Sequence, residues 1–297
     1  MSETETMDAR YRGFDTWSDL QILDALYTGQ AHAISAVRPA LPAIAAAAGA
    51  IAGRIEPKGR LIYAGAGSSG RQAALDGIEL GSTFGWPVER LAFVLAEGVV
   101  LNPAVRMSDE DDAPLARAAV NNLELGTSDC MIAIAASGTT PFTLAAAETA
   151  RAAGALVIGM ANNADAPLLQ LADQRILLQS GAEIISGSTR MNAGTAQKAA
   201  LGLLSTLLMT RLGHVHDGLM VSMLPDCNKL EGRAARIVAA IAGCTLEQAS
   251  AALEASGWVI KPAVLVARGV EAAQVDDLLA RAGGNLRTAL ERLNLSD

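Results

Sequence analysis

The sequence predicts a doubly wound α/β fold with a five-stranded parallel sheet, N-terminal helices and a C-terminal helical module. Two observations carry this prediction. Short, continuous apolar runs alternate with helical stretches between about residues 55 and 215, which is typical of strands buried on both faces beneath helices. Hydrophobic residues make up 51% of the 297 residues but aromatic residues only 3%, as expected where helices and sheet pack through aliphatic side chains.

The N-terminal region reads as helical from Ser18 to about Gly53. Ser18 is a suitable N-cap, and Pro39 and Pro42 predict a break or kink inside the region. A turn at residues 56–59 ends it. The strands are predicted at residues 60–64, 91–95, 130–135, 155–160 and 175–178.

Helical patterns dominate the rest of the chain, where Thr245 and Gln248 have the spacing of a capping box. The predicted helices lie at residues 193–212, 245–256, 261–268 and 271–293, the last of them broken at Gly283-Gly284. The expected domains are an N-terminal helical segment at 1–54, the α/β domain at 55–227 and a three-helix module at 228–297.

Charge and composition limit the partners and the compartment. The chain has 23 Lys and Arg against 31 Asp and Glu, a net charge of −8, so it lacks the basic footprint of a nucleic-acid-binding protein. Cys130, Cys227 and Cys244 are few and widely spaced, which indicates a reducing compartment. The N-terminus does not resemble a signal peptide, and the longest apolar run, at residues 41–51, is shorter than a membrane span. We expect a cytoplasmic protein with no nucleic-acid or membrane partner.

Two loops rich in glycine and hydroxyl groups follow predicted strands and precede predicted helices. They are GAGSSG at 65–70 and ASGTTP at 136–141. A helix N-terminus offers free N–H groups and a partial positive charge, so such loops suit a phosphate and a polar sugar. The alternative is that these residues only cap helices and form turns. The candidate binding residues are Gly67, Ser68, Ser69, Ser137, Gly138, Thr139 and Thr140.

The first loop also satisfies the GxGxxG pattern of dinucleotide-binding proteins. That pattern expects an acidic residue about 20 positions later. Glu97 comes 27 residues after Gly70, which is late, and one dinucleotide does not need a second loop of the same kind. We therefore expect no nucleotide cofactor. We expect no metal either, because His214 and His216 lack an evident third ligand.

A third polar segment, at residues 187–198, opens the long helix predicted at 193–212. Its residues Ser188, Thr189 and Arg190 suit an anion or a sugar at a helix N-terminus. The alternative is a capped helix with Arg190 in a salt bridge.

In order along the chain, several segments resemble one family closely, the N-acetylmuramic acid 6-phosphate etherases. These belong to the SIS phosphosugar-binding superfamily and are related to the glucokinase regulatory protein. The matching segments are GRLIYAGAGSSGR (59–71), IAASGTTPF (134–142), GAEIISGSTRMNAGTAQK (181–198) and LMVS (219–222), together with Thr4, Glu5 and Asp15 near the start.

This resemblance covers nearly the whole chain. It implies an SIS domain, a homodimer, a C-terminal module like a ubiquitin-associated (UBA) domain, and no cofactor. It implies cleavage of the lactyl ether at C3 of an amino-sugar phosphate, giving N-acetylglucosamine 6-phosphate and D-lactate. It also adds Glu183 to the expected substrate-binding residues.

By the same resemblance the two catalytic glutamates are Glu79 and Glu110. The family register runs without a gap from Glu110 to Ser137, which selects Glu110 over its acidic neighbours. One ionised and one protonated carboxyl would remove the C2 proton and protonate the departing oxygen. We assign Glu110 as the base and Glu79 as the acid, although the roles could be exchanged. Without the family resemblance, the sequence alone would indicate that Glu79 is a solvated residue on a helix and that Glu110 is one charge in an acidic run.

At two positions this chain has a neutral residue where the family has a positively charged one. Thr139 stands where the family has arginine, and Asn192 where it has lysine. We expect weaker phosphate binding or an altered substrate as a result. The alternatives are a non-catalytic sugar-phosphate sensor and an aldose–ketose isomerase that uses the same C2 proton. Retention of both Glu79 and Glu110 favours the etherase.

Overall fold

A five-stranded parallel sheet forms the centre of the first part of the protein. The computed structural model describes residues 3–55, 57–98 and 107–294, so residue 56 of the predicted turn lies outside the described residues. The sheet order is β2-β1-β3-β4-β5, and every neighbouring pair is parallel, as predicted. The strands are β1 (Leu61–Gly65), β2 (Leu91–Leu95), β3 (Cys130–Ile134), β4 (Leu156–Ala161) and β5 (Gln174–Leu177).

The register brings three strand ends together. Gly65, the last residue of β1, pairs with Leu95 of β2 on one side and with Ile134 of β3 on the other. The sheet order reverses beside β1, and in open α/β sheets such a switch point is where ligands bind. The loops after β1 and β3 therefore open at one edge of the sheet.

Helices cover this sheet. Val94, Met131 and Phe142 belong to a buried apolar cluster in which side chains of the sheet and its helices pack together, most of them aliphatic. The predicted N-terminal helical region is two helices divided by a turn at Arg38–Ala40, where the prolines predicted a break. The helices are α1 (Asp19–Ser35), α2 (Leu41–Ile55), α3 (Gly67–Phe84), α4 (Ala113–Asn121), α5 (Pro141–Ala152), α6 (Pro167–Leu171) and α7 (Asn192–Arg211).

The chain forms two compact units, the first made of residues 1–78 and 88–207 and the second of residues 79–87 and 208–297. Helices of the second unit pack around buried apolar residues such as Leu253 and Leu265. Thr245 and Gln248 form the predicted capping box. The domain boundaries at 54/55 and 227/228 stay predictions. The helices are α8 (Asn228–Ala242), α9 (Leu246–Ala255), α10 (Ile260–Ala267), α11 (Ala272–Arg281) and α12 (Leu286–Asn294).

Two features of the second unit differ from the predicted three helices after Leu230. The first is α8, which adds a fifteen-residue helix. The second is a hairpin of two short antiparallel strands, β6 (Val215–His216) and β7 (Leu219–Met220). The break at Gly283-Gly284 is confirmed, since it separates α11 from α12.

One helical stretch, residues 19–55, is long and apolar enough to cross a membrane, and 33% of its most apolar window is buried. A second candidate requires α8 and α9 together, which are bent by 107°. Core helices can pass the same test, and α2 buries Ile44, Ile51 and Ile55. The expectation of no membrane partner stays a prediction.

Candidate active site

Three loops border a cleft with a volume of about 370 Å³ in the first unit. The loops follow β1, β3 and β5, so the parallel sheet places them at one edge. Residues predicted to act on the ligand and found in the cleft lining are Gly67, Ser68, Ser69, Glu110, Ser137, Thr140, Ser188, Thr189 and Arg190. Residues found there that were not predicted as site residues include Glu5, Arg71 and Glu97.

The first loop brings the Glu110 carboxylate against the start of α3. Gly67 has φ +53°, and a β-carbon on it would lie 2.5 Å from Glu110 Oε1. Only glycine meets both conditions without displacing the carboxylate. The N-terminus of α3 carries a partial positive charge, so it is a favourable neighbour for this anion.

Glu110 belongs to a short turn, Met107–Asp111, before α4. Asp112 fixes the start of that helix, because its Oδ1 accepts the backbone N–H of Leu115 at 2.8 Å. Burial raises the pKa of the half-buried Glu110 carboxyl, the charges of Glu97 and Asp111 raise it further, and Arg71 lowers it. A carboxyl whose pKa lies above its ordinary value suits general acid–base work nearer neutral pH.

An ion pair lies beside Glu110. Arg71 on α3 and Glu97 after β2 are 2.9 Å apart between Nη2 and Oε2. The sequence pattern presents Glu97 only as the acidic residue that follows a dinucleotide-binding loop, and Glu97 comes too late for that role. Its position just after β2 could have predicted that it lies at the cleft. The strand β2 is the neighbour of β1, and the carboxyl ends of neighbouring parallel strands lie at the same edge of a sheet.

The second loop divides its residues between the cleft and the protein interior. Ser137 and Thr140 line the cleft, and Thr140 is the N-cap of α5. The backbone N–H of Thr139 donates to Ser137 Oγ at 3.1 Å, but Thr139 is exposed and outside the lining. Gly138 is buried, and a β-carbon there would lie 2.3 Å from Ala166 Cβ. Gly138 therefore shapes the loop.

Glu183 caps α7 from inside the protein. Its side chain is among the buried polar groups, and the residue is 1% exposed. Its two oxygens accept the backbone N–H groups of Asn192 and Ala193, each at 2.9 Å. Burial raises the pKa of Glu183, whereas the bonds from Ala193 and Asn192 lower it. Glu183 lies outside the cleft lining and fixes the loop that carries Arg190.

Asn192, which replaces the family's lysine, also faces inward. It is buried, its amide nitrogen donates to the carbonyl of Ala182 at 3.1 Å, and its oxygen accepts from Gln30 Nε2 at 3.1 Å. Like Thr139, Asn192 lies outside the cleft lining.

A buried amide network holds the third loop behind the cleft. Asn162 follows β4, and its side-chain nitrogen donates to the carbonyl of Leu178 at 3.0 Å and to Ser180 Oγ at 2.9 Å. Its oxygen accepts from Gln197 Nε2 on α7 at 2.9 Å. These bonds pair the side-chain nitrogen and oxygen of Asn162 and connect the third loop to α7, while Gln197 Oε1 is buried without a hydrogen-bond partner among the described residues.

Glu79 lies elsewhere on α3. It is exposed, and it comes twelve residues after Gly67, which corresponds to about 18 Å along the helix. It is outside the lining of the cleft that contains Glu110. Of the two predicted catalytic glutamates, only Glu110 is therefore found among the residues that line this cleft.

In the described part of the chain, no group of three His, Cys, Asp or Glu side chains is placed to hold a metal ion. The cleft lining offers the half-buried carboxylate of Glu110, two further carboxylates, two guanidinium groups, and hydroxyl groups at helix N-termini. Such a set can bind an anion and exchange a proton with a bound ligand.

Comparison with known proteins shows the family to which this chain belongs. The model of the SIS domain matches residues 112–207. An N-acetylmuramic acid 6-phosphate etherase of Deinococcus radiodurans is 44% identical over 97% of this chain and 94% of its own length. This chain belongs to the N-acetylmuramic acid 6-phosphate etherase family. The resemblance predicted from the sequence is confirmed.

More distant matches support the etherase family and its fold. The etherase of Serratia proteamaculans is 38% identical over 97% of this chain and 98% of its own length. A solved structure from Bacteroides fragilis, named as a phosphosugar isomerase involved in capsule formation, has a TM-score of 0.51 and 20% identity. It covers 68% of this chain and 95% of that one, and it shows the fold alone.

Proposed function

We propose that this chain cleaves the D-lactyl ether of N-acetylmuramic acid 6-phosphate, producing N-acetylglucosamine 6-phosphate and D-lactate. The observation that carries the proposal is the position of Glu110, a half-buried carboxylate in a cleft that also contains hydroxyl groups, helix N-termini, two further carboxylates and two guanidinium groups. Near-full-length similarity to etherases supports the same substrate.

The phosphate is proposed to bind at the loops after β1 and β3. Ser68, Ser69, Ser137 and Thr140 line the cleft where α3 and α5 begin. Hydroxyl donors, free N–H groups and the two helix dipoles can hold an anion although the chain carries a net charge of −8.

Glu110 is proposed to act as the general base. In the open-chain aldehyde, the C2 proton is α to a carbonyl, and a carboxylate can remove it. The electron pair of the C2–H bond then forms the C2=C3 double bond as the C3–O bond to lactate breaks. The lactate oxygen takes a proton from an acid, and water finally adds across the double bond, OH to C3 and H to C2. Proton transfer by a positioned carboxyl contributes about 10²–10⁴-fold.

The acid is proposed to come from a second copy of the chain. Glu79 remains the residue that the resemblance implies, yet it lies about 18 Å along α3 from Gly67. Leu75 and Ile78, its neighbours on α3, are large exposed apolar residues. A second copy covering this face of α3 would allow Glu79 of one copy to complete the cleft of the other.

A homodimer would also cover an apolar stripe on α1. Leu20, Leu23 and Tyr27 share one helix face and are 77%, 60% and 74% exposed. Exposed apolar surface of this kind marks protein or membrane interfaces, and the resemblance favours a second copy.

We also propose that the protein is cytoplasmic, because Cys130, Cys227 and Cys244 are all free thiols. The net charge of −8 opposes binding to nucleic acid, so we propose no nucleic-acid partner.

The two departures from the family pattern weigh little against this function. Thr139 and Asn192 both lie outside the cleft lining, whereas Arg71 and Arg190 supply cations inside it. The test is incubation with N-acetylmuramic acid 6-phosphate followed by a D-lactate assay. Release of D-lactate supports the etherase. An isomerised sugar phosphate without lactate would support the isomerase, and binding without turnover the sensor.

The pH profile is expected to report on Glu110 through Glu97. Glu110 must be ionised to act as a base. Because its pKa is raised, the acidic limb of the pH profile of kcat/KM should lie at a higher pH than for an ordinary glutamate. Glu97→Gln removes a charge that raises the pKa of Glu110 and leaves Arg71 without this counter-ion. The pKa of Glu110 then falls, and the acidic limb moves to lower pH.

The matched control is Glu89→Gln, an exposed residue before β2 outside the cleft lining, which should leave the limb in place. If the acidic limb of the pH profile is unchanged in Glu97→Gln, or moves to higher pH, Glu110 does not control this limb.

A further inference from the structure

The N-terminal segment lies against the loop that precedes α7. The backbone N–H of Gly187 donates to the carbonyl of Thr4 at 3.2 Å, and the Ser186 hydroxyl donates to the carbonyl of Glu5 at 2.9 Å. The Thr4 residue is 0% exposed, and Asn163 Nδ2 donates to its hydroxyl at 3.4 Å. These contacts hold residues 4 and 5 beside the cleft.

The same contacts connect the segment to the second loop. Asn163 follows β4, and its side-chain nitrogen also donates to the carbonyl of Ala136 at 2.8 Å. Ala136 lines the cleft next to Ser137. Thr4 is thereby joined through one amide to the loop that is proposed to bind phosphate.

Glu5 extends from this anchored segment into the cleft lining. One of its carboxylate oxygens lies 2.9 Å from the place where a β-carbon on Gly187 would stand. Gly187 has φ +74°, so its backbone conformation and this close approach both favour glycine. The carboxylate therefore occupies the side of the cleft formed by the loop before α7.

A carboxylate accepts hydrogen bonds and repels anions. In an amino-sugar phosphate, the phosphate is anionic, whereas the ring hydroxyls and the N-acetyl N–H group are donors. We propose that Glu5 is a substrate-recognition residue that accepts hydrogen bonds from these sugar donors and directs the phosphate toward Ser68, Ser69 and Ser137. The identity of the sugar rests on the proposed function. The N-terminal segment is then part of the binding site.

The test compares two ligands by calorimetry, N-acetylglucosamine 6-phosphate and inorganic phosphate. Glu5→Gln should weaken binding of the sugar phosphate about 10- to 100-fold, the range for one charge-assisted hydrogen bond. Its affinity for inorganic phosphate should stay the same or increase, because a nearby negative charge is removed. Glu5→Asp, which keeps the charge on a shorter side chain, should lie between Glu5→Gln and the unaltered protein.

Asp15→Asn is the matched control, since Asp15 is an exposed N-terminal carboxylate outside the cleft lining, and it should change neither affinity. The proposal is overturned if Glu5→Gln changes sugar-phosphate affinity less than twofold, or if both ligands are weakened equally. The result is independent of turnover. A protein that binds the sugar phosphate but releases no lactate contradicts the proposed function and still decides the role of Glu5.

Discussion

Glu110→Gln is expected to lose both D-lactate release and exchange of the C2 proton with solvent deuterium, each by about 10²–10⁴-fold. The glutamine fills the same space but cannot accept the proton. Because carbanion formation comes first, no later step can proceed. Proton NMR in deuterated water, with a lactate assay on the same samples, measures both effects.

Glu79→Gln is expected to behave differently. If Glu79 protonates the departing oxygen, this variant loses lactate release but keeps measurable C2 exchange, because exchange precedes the step that needs the acid. The reverse pattern would exchange the roles of the two glutamates. Full lactate release in both variants would show that this pair is not catalytic.

Mixing the two variants tests whether the cleft is completed by a second copy. Random exchange of subunits makes half of the dimers mixed, and each mixed dimer has one cleft with both glutamates, so about a quarter of the native activity should return. No recovery, with subunit exchange demonstrated by native mass spectrometry, would place Glu79 outside the shared site.

Gly67→Ala is expected to lower kcat about 100-fold while the protein stays folded. The new β-carbon would stand 2.5 Å from Glu110 Oε1, and the flexible carboxylate can move away at little cost in stability. Misplacement of a reacting group by about 1 Å costs about 10²-fold in rate. Because alanine at a φ of +53° is strained, the substitution should also lower the free energy of unfolding by about 1–2 kcal/mol.

Gly257→Ala separates these two effects. Gly257 has a similar φ of +59°, and nothing lies within 4 Å of the position of a β-carbon. It should lose comparable stability in thermal unfolding and keep full activity. Equal kcat in the two alanine variants would show that the contact between Gly67 and Glu110 does not position the base.

The sheet could be predicted from the sequence because each strand is a short apolar run between helical patterns. Residues 91–95 match β2 at both ends, β3 ends one residue earlier than predicted, and β1, β4 and β5 are each displaced by one residue at both ends. Buried parallel strands have a strong local signal. The hairpin formed by β6 and β7 has two residues per strand, too few for an alternating pattern.

The candidate site was only partly predictable. Hydroxyl groups at helix N-termini have a local pattern, so Ser68, Ser137 and Ser188 were found from sequence. Arg71 comes directly after the first loop and could have been included with it, whereas Glu5 reaches the cleft through contacts with a loop 181 residues away, which no local pattern records.

Glu183 illustrates the opposite case. It lies in a family motif and was predicted to bind substrate, but both its oxygens accept N–H groups at the start of α7. A motif records that a residue type is required and does not record whether it touches the ligand. A substrate role for Glu183 stays a prediction.

The measurement that tests the central claim most directly is turnover of N-acetylmuramic acid 6-phosphate in ¹⁸O-labelled water. Elimination followed by water addition breaks the bond between C3 and oxygen, so mass spectrometry should find the label at C3 of N-acetylglucosamine 6-phosphate and none in the hydroxyl of D-lactate. Label in the lactate hydroxyl, or no lactate at all, would contradict the account.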